Sequence, residues 1–275
     1  PRGTRGILTS EREVFDRHLA ASRTIAPGAA DVVVWPENAV SLPGPTAGSP
    51  EGDELAAEAR RLRAVLLVGV VEDVPPDRFR NAQLAYDPDG QLVGRYDKVH
   101  RVPFGEYAPL RDLVARVADL SLLPRDAIKG DGPGILLGPG GEKLGVVISY
   151  EVFFGDRSRS AIRAGGQVLL VPTNAASYAT SQVPDQEVAA ARLRAWETGR
   201  NVVQAAPTGF SAFVSPDGDV TQRTDLGAQQ VISAEILLRR GTTPYLRTGD
   251  QPWLVLALAC LALPGLAGRR RPGRE

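Results

Sequence analysis

The sequence is poor in several residue types that would tie it to particular chemistry. It has one cysteine, Cys260, so no disulfide can form within the chain. It has no methionine, not even at position 1, and no signal peptide opens it, which predicts a piece of a longer protein whose export signal or earlier membrane spans lie outside it. Its two histidines and single cysteine form no cluster at metal-ligand spacing, and no glycine-rich phosphate loop is present, so neither a metal nor another cofactor is implied. Formal net charge is zero, which argues against a strongly basic nucleic-acid surface. Almost all positive charge comes from arginine; the only lysines are Lys98, Lys129 and Lys143, so a lysine inside a motif carries more weight than usual.

The bulk of the chain is ordinary for a folded protein: 275 residues, 43% hydrophobic and 23% charged. That suits one large domain or two small ones. Short apolar runs predict strands over 31–35 (DVVVW), 64–71 (AVLLVGVV), 144–148 (LGVVI), 168–171 and 202–205. The segments 82–86 and 92–96 flank Pro88-Asp89-Gly90, and 211–214 and 220–223 flank Pro216-Asp217-Gly218; each pair reads as a hairpin. Helical patterns cover 10–26, 51–63, 158–164 and 185–198. Strands and helices interleave, so an α/β layered fold is expected. No repeat at a solenoid period is visible.

Two segments stand apart. Leu110, Leu113, Val114, Val117 and Leu120 form an amphipathic helical stripe, which either packs on the core or forms an apolar arm that contacts lipid. Near the C-terminus, 251–268 is uncharged and mostly apolar over 18 residues, the lower limit for a membrane span, and Arg269, Arg270 and Arg271 follow. The basic cluster predicts a cytoplasmic tail, with the preceding residues outside the cytoplasm. The expected division is an extracytoplasmic domain over 1–250, a transmembrane helix over 251–268 and a basic tail over 269–275.

Three candidate sites lie at strand ends. Glu37 follows the 31–35 strand in Trp35-Pro36-Glu37, where a carboxylate can point into a crevice of an α/β fold; a solvent-facing acid is the ordinary alternative. Lys98 ends the second strand of the first hairpin and Glu106 follows a Pro-Phe-Gly turn. A buried lysine beside two carboxylates stays protonated and can hold a developing oxyanion; a surface salt bridge is the plain alternative. Ser149 sits where the fully apolar 146–148 run ends, before Tyr150 and Glu151, either as a nucleophile or as a buried serine bonded to backbone.

Together WPE, YDKVHRVPFGEY and a strand ending in a nucleophile-type residue before Tyr-Glu resemble the nitrilase superfamily. VPFGEYAPLR, RLRAWETGR (192–200), APTGFSAFVSPDG (206–218) and the closing apolar helix resemble its apolipoprotein N-acyltransferase branch, and the likeness covers nearly the whole chain. The resemblance implies an αββα sandwich followed by a transmembrane helix. It implies Glu37 as general base, Lys98 as oxyanion holder, position 149 as nucleophile, and Glu106, Tyr150 and Glu151 as supporting residues. It also implies a two-step reaction. An acyl chain passes from a phospholipid to the nucleophile, then to the amine of a lipoprotein's N-terminal diacylglyceryl-cysteine. The partners implied are that donor, that acceptor and the bacterial cell membrane.

The chain departs from that pattern in two places. Ser149 stands where the family carries cysteine, and Cys260, in the expected span, cannot replace it. A serine hydroxyl needs stronger base assistance than a thiol, and Glu37 is a weak base for it. Ser149 reads as an engineered exchange, as a natural loss that leaves a lipid- or lipoprotein-binding paralogue, or as a working nucleophile. The segment 1–10 shows no strand pattern, although such domains usually open with one. The remaining alternative is a soluble nitrilase-type amidase, against which the 110–123 stripe and the closing helix argue.

Overall fold

The computed structural model describes residues 10–121, 123–178 and 180–268. The expectations for the opening segment fall mainly on residues 1–9, and those for the basic tail on 269–275; both stretches lie outside the described residues.

Two six-stranded sheets form the centre of the molecule. In the first, β1 (Val32–Val34) and β2 (Val40–Leu42) both pair in parallel with β3 (Val65–Val74), which pairs antiparallel with β4 (Arg78–Tyr86) and so onward to β5 (Leu92–Asp97). The two-residue β6 (Asp126–Ala127) joins the far end of β4. In the second sheet the order is β12 (Val220–Arg223), β11 (Ala212–Val214), β10 (Val202–Ala205), β9 (Val168–Pro172), β8 (Lys143–Val146) and β7 (Ile135–Leu137). The parallel strands β8, β9 and β10 form its middle.

Alternation along the strands explains the layering. In β3, Val65 and Leu67 face the second sheet, where they meet Leu136, Leu144, Val146, Val168 and Leu170. Leu66, Val68 and Val70 face the other way and pack with Phe15 and Leu19 of α1 (Glu11–Ser22) and with Leu55, Ala59 and Leu62 of α2 (Pro50–Leu62). In β9, Val168 and Leu170 face inward, while Leu169 and Val171 pack on Ala161 and Ile162 of α4 (Gly155–Arg163) and on Ala191 and Ala195 of α5 (Val183–Thr198). Strands buried on both faces read in sequence as unbroken apolar runs. The resulting order is helix, sheet, sheet, helix, as the sequence predicts.

Local signals set the ends of these elements. Ser10 and Ser49 cap α1 and α2 by accepting from the backbone N–H of Glu13 and Gly52. The β4–β5 turn is held by Asp87, whose Oδ1 accepts from the N–H of Asp89 and Gln91, with Gly90 at φ 77°.

One expectation is corrected. The 110–123 stripe forms no long helix packed on the core. It makes a single turn, α3 (Arg111–Val114), with Leu110, Leu113 and Val117 exposed at 75%, 57% and 86%. Leu110 enters in the left-handed region without a side-chain cap, and Asp119 accepts from the Ser121 N–H in a tight turn that closes the segment. Past the short α6 (Pro244–Thr248), the helix α7 (Gln251–Gly268) covers the expected apolar stretch. Trp253, Leu254, Val255, Leu256, Leu258 and Leu261 of α7 are all exposed. Among the described residues, no helix is long and apolar enough to cross a membrane.

Candidate active site

Glu37 reaches the site because the chain leaving β1 passes closely over β3. The Trp35 N–H donates to the Leu67 carbonyl and the Ala39 N–H to that of Gly69. A Cβ on Gly69 would lie 2.2 Å from the Pro36 carbonyl oxygen, so only glycine admits this crossing. Glu37 emerges buried, and its Oε1 accepts from Lys98 Nζ at 2.8 Å and from Asn81 Nδ2 at 2.8 Å.

Lys98 stands just past the end of β5 and is 2% exposed. Its Nζ also donates to Glu106 Oε1 at 2.9 Å, and Asn81 Nδ2 donates to the same oxygen at 2.8 Å. The other oxygen of Glu106 accepts from the Val102 N–H, which fixes the turn between Lys98 and Glu106. Burial disfavours the ammonium, but the charges and hydrogen bonds of Glu37 and Glu106 outweigh it and hold the Lys98 pKa above its ordinary value. The two carboxylates therefore favour the charged form of this lysine.

Ser149 follows β8, at the start of a 3₁₀ turn over Ser149–Phe153, with φ 48°. The left-handed region is uncommon for a serine, and a sharp turn after a strand is one way to expose a nucleophile. Its buried hydroxyl donates to Glu187 Oε1 at 3.4 Å and accepts from Thr173 Oγ1 at 3.1 Å; Thr173 also bonds to Glu187. Thr173 comes directly after β9, and Glu187 lies on the buried face of α5 with Ala191 and Ala195. Burial pushes the Glu187 carboxyl up to about 7, against the bond from Thr173; Glu37 adds to the rise, while the Ser149 bond and the Lys98 charge oppose it. Glu187 thus lies within electrostatic range of Glu37 and Lys98 while bonding directly to Ser149 and Thr173.

Glu151 fastens these parts together. It is fully buried, and its Oε1 accepts from the N–H groups of Val99 and His100 while Oε2 accepts from that of Ile148. One carboxylate thus fixes the residues after Lys98 against the residue before Ser149. The Tyr96 hydroxyl donates to it at 2.9 Å, and Arg157 donates in turn to Tyr96 Oη at 2.8 Å. Burial and then the Glu151 charge hold the Tyr96 pKa above its ordinary value, so the phenol remains a donor. Tyr150 is half-buried, edge-on to Phe154 with ring centres 4.9 Å apart.

The structure brings Glu37, Lys98 and Glu106 into direct contact and sets Ser149, Tyr150 and Glu151 on one turn. Sequence reasoning missed Asn81, Thr173 and Glu187. Thr173 obeys the strand-end rule that found the other candidates. Glu187 carries a weaker signal: it is an acid in phase with Ala191 and Ala195 on a helix. Asn81 lies inside β4 and carries none. Among the described residues no group of side chains suits a metal ion. A surface cleft of about 420 Å³ lined by Lys143, Gln167, Arg200 and Arg240 contains none of the candidate residues.

The paired sheets between helix layers, with a lysine held by two carboxylates past the end of one strand and a buried serine in a left-handed turn past the end of another, match a nitrilase-like α/β protein. The carbon–nitrogen hydrolase family matches residues 6–243, and the chain belongs to that family. Within it, the chain is similar to proteins named apolipoprotein N-acyltransferase. The one from Geobacter metallireducens is 31% identical over 264 residues, covering 90% of this chain and 48% of that protein. The one from Rhodopseudomonas palustris is 32% identical over 289 residues, covering 99% and 53%. The chain thus spans about half the length of the curated relatives it matches. Among solved structures it resembles an amidase from Nesterenkonia sp., with TM-score 0.60 and 21% identity over 89% of this chain and 90% of that one. A cysteine-to-serine mutant of the nitrilase-superfamily amidase from Nesterenkonia AN1 gives TM-score 0.55 at 22% identity, covering 78% and 80%. At these identities the two structures speak for the fold.

Proposed function

We propose that this chain is the acyl-transfer domain of an apolipoprotein N-acyltransferase. Ser149 takes a fatty acyl chain from a phospholipid and yields it to the amine of a diacylglyceryl-cysteine at a lipoprotein's N-terminus. The observation that carries the reading is the buried Ser149, hydrogen-bonded to Glu187 and Thr173 on a turn that Glu151 ties to the backbone just after Lys98, in a chain whose curated relatives bear that name. When an ester carbonyl is attacked, negative charge develops on its oxygen, and a preorganised cation in a dry site stabilises that charge without reorganising. Lys98 fills this role; Glu37 and Glu106 hold it charged and aimed, and Glu37 is the carboxylate in reach of proton traffic around the lysine. Glu151 keeps the two halves in register, and Tyr150 forms part of the aromatic wall next to the nucleophile. The chemistry needs no cofactor.

The same reading accounts for the apolar surfaces. Residues 1–250 are the catalytic domain on the extracytoplasmic face of a bacterial cell membrane. This reading assigns 251–268 as the membrane segment, supported by the apolar side chains exposed between Trp253 and Leu261, and 269–275 as the cytoplasmic tail. On this reading the exposed Leu110, Leu113 and Val117 meet lipid. Protease added to spheroplasts then digests the domain and spares the extreme C-terminus; protection of the whole domain contradicts this orientation.

The direct test is mass spectrometry of the full-length protein after incubation with vesicles of phosphatidylethanolamine and phosphatidylglycerol. The expected result is an acyl adduct on Ser149 that a diacylglyceryl-cysteine peptide removes. Folded protein that forms no adduct as either the serine or the Ser149→Cys form would replace the enzyme with a binding paralogue.

A further inference from the structure

Serine at position 149 demands a stronger base than a thiol would, and the candidate expected from the sequence is already engaged. Glu37 Oε1 accepts from both Lys98 and Asn81. Among the described residues, the side chains hydrogen-bonded to Ser149 Oγ are Thr173 and Glu187. Glu187 is 3% exposed, and its Oε2 is buried without a hydrogen-bond partner. A buried carboxylate oxygen without a donor is costly and calls for an explanation.

We propose that Glu187, bridged by Thr173, is the general base that activates Ser149, so that this site carries its acyl group as an oxygen ester. The proposal rests on the acyl-transfer reading for its substrate, but not for the base itself. A base works best when its pKa lies near the working pH. Burial holds Glu187 at about 7, with Glu37 adding to the rise and Lys98 opposing it, so a substantial fraction is ionised at neutral pH while its basicity exceeds that of an ordinary carboxylate. The unpartnered Oε2 leaves the carboxyl room to hold a proton.

The steps balance. Ser149 Oγ forms a bond to the acyl carbon as its proton passes to Glu187. The ester C–O bond of the phospholipid breaks, and the departing lysophospholipid alkoxide takes that proton from Glu187. In the second half the acceptor amine attacks the seryl ester and Glu187 receives a proton from the nitrogen. The bond between Oγ and the acyl carbon breaks, and Glu187 returns the proton to Ser149. Thr173 can donate to either Ser149 or Glu187, so it solvates whichever oxygen carries charge at each stage.

The test reads nucleophilicity at Ser149 independently of any lipid. Full-length protein is labelled with a fluorophosphonate probe, which phosphonylates activated serines. The rate at Ser149 is followed by mass spectrometry from pH 5 to 9. The wild-type rate is expected to rise with pH and reach half its maximum near pH 7. Glu187→Gln is expected to lose about a hundredfold or more and to lose the pH dependence. Glu37→Gln keeps the pH dependence but moves its midpoint down, because the Glu37 charge adds to the rise at Glu187. If Glu187→Gln fails to fold, the wild-type midpoint decides. A flat wild-type profile, an unlabelled Ser149 in folded protein, or a Glu187→Gln variant that labels as fast as wild type overturns the assignment. A Ser149 that labels with this profile yet takes no acyl chain from vesicles leaves Glu187 as the base and removes the lipid substrate instead.

Discussion

Asn81 and Lys98 donate to the same two carboxylate oxygens. Each reaches Glu37 Oε1 and Glu106 Oε1, at 2.8 Å from Asn81 and at 2.8 and 2.9 Å from Lys98. The amide cannot replace the ammonium, because it brings no charge to offset the buried Glu37 and the part-buried Glu106. Lys98→Met is therefore expected to destabilise the fold by about 3–5 kcal/mol, the usual cost of orphaning a buried charge. Adding Glu106→Gln should recover part of that loss, since one anion is removed. Urea midpoints of the three proteins measure both effects. A loss under about 1 kcal/mol for Lys98→Met would mean that the carboxylates do not depend on the lysine.

Glu187 gives stability a pH dependence of known sign. Its folded-state pKa of about 7 lies above the ordinary 4.5. Between those values the folded chain holds a proton that the unfolded chain releases. Stability therefore falls as pH rises through this window and levels off above about 7. At about 1.4 kcal/mol for each pH unit, the whole window is worth roughly 3 kcal/mol. Glu187→Gln keeps the shape of the protonated acid and cannot ionise. It should therefore gain about that much relative to wild type between pH 5 and pH 8. Parallel urea midpoints across this range would show that Glu187 is already ionised in the fold at pH 5, so that its pKa is not raised.

What could be read from the sequence follows from burial. Strands such as β3 and β9 touch a sheet on one side and helices on the other, so their apolar runs are continuous and legible. β2, β6 and β7 have two or three residues each and take their shape from a neighbouring strand, which a window along the chain does not see. The strand-end rule picked out Glu37 and Lys98, which are in contact, and Ser149, which Glu151 ties to the backbone just after Lys98. Glu187 and Asn81 enter from the middle of a helix and of a strand, and only the packing of α5 and β4 aims them at the site. The 110–123 stripe failed differently. Its period of 3.6 is real, but periodicity does not name the partner for an apolar face, and the described residues leave Leu113 and Val117 exposed.

That exposed face makes a separable prediction. Leu113 and Val117 are solvent-facing, so Leu113→Asp with Val117→Asp should change stability by no more than about 0.5 kcal/mol per site. If the arm docks on lipid, turnover with phospholipid vesicles should drop severalfold while fluorophosphonate labelling of Ser149 stays unchanged. A vesicle reaction that is insensitive to both charges would remove the arm from lipid binding.

Exchanging the nucleophile separates the serine from its surroundings. In Ser149→Cys the thiol is intrinsically more acidic than the hydroxyl it replaces. Its dependence on Glu187 should therefore weaken. Acylation by phospholipid is expected to run about tenfold faster or more than in wild type, with the midpoint of its pH profile displaced from that of the serine enzyme. The two adducts differ chemically. Neutral hydroxylamine cleaves a thioester and leaves an oxygen ester largely intact, so the cysteine adduct should be lost and the wild-type adduct retained. Adding Glu187→Gln should then slow the serine enzyme far more than the cysteine variant. Equal losses in both backgrounds would mean that Glu187 supports the turn at position 149 without taking its proton. A cysteine variant that forms no adduct while wild type turns over would mean that the site is built around the geometry and basicity a serine requires.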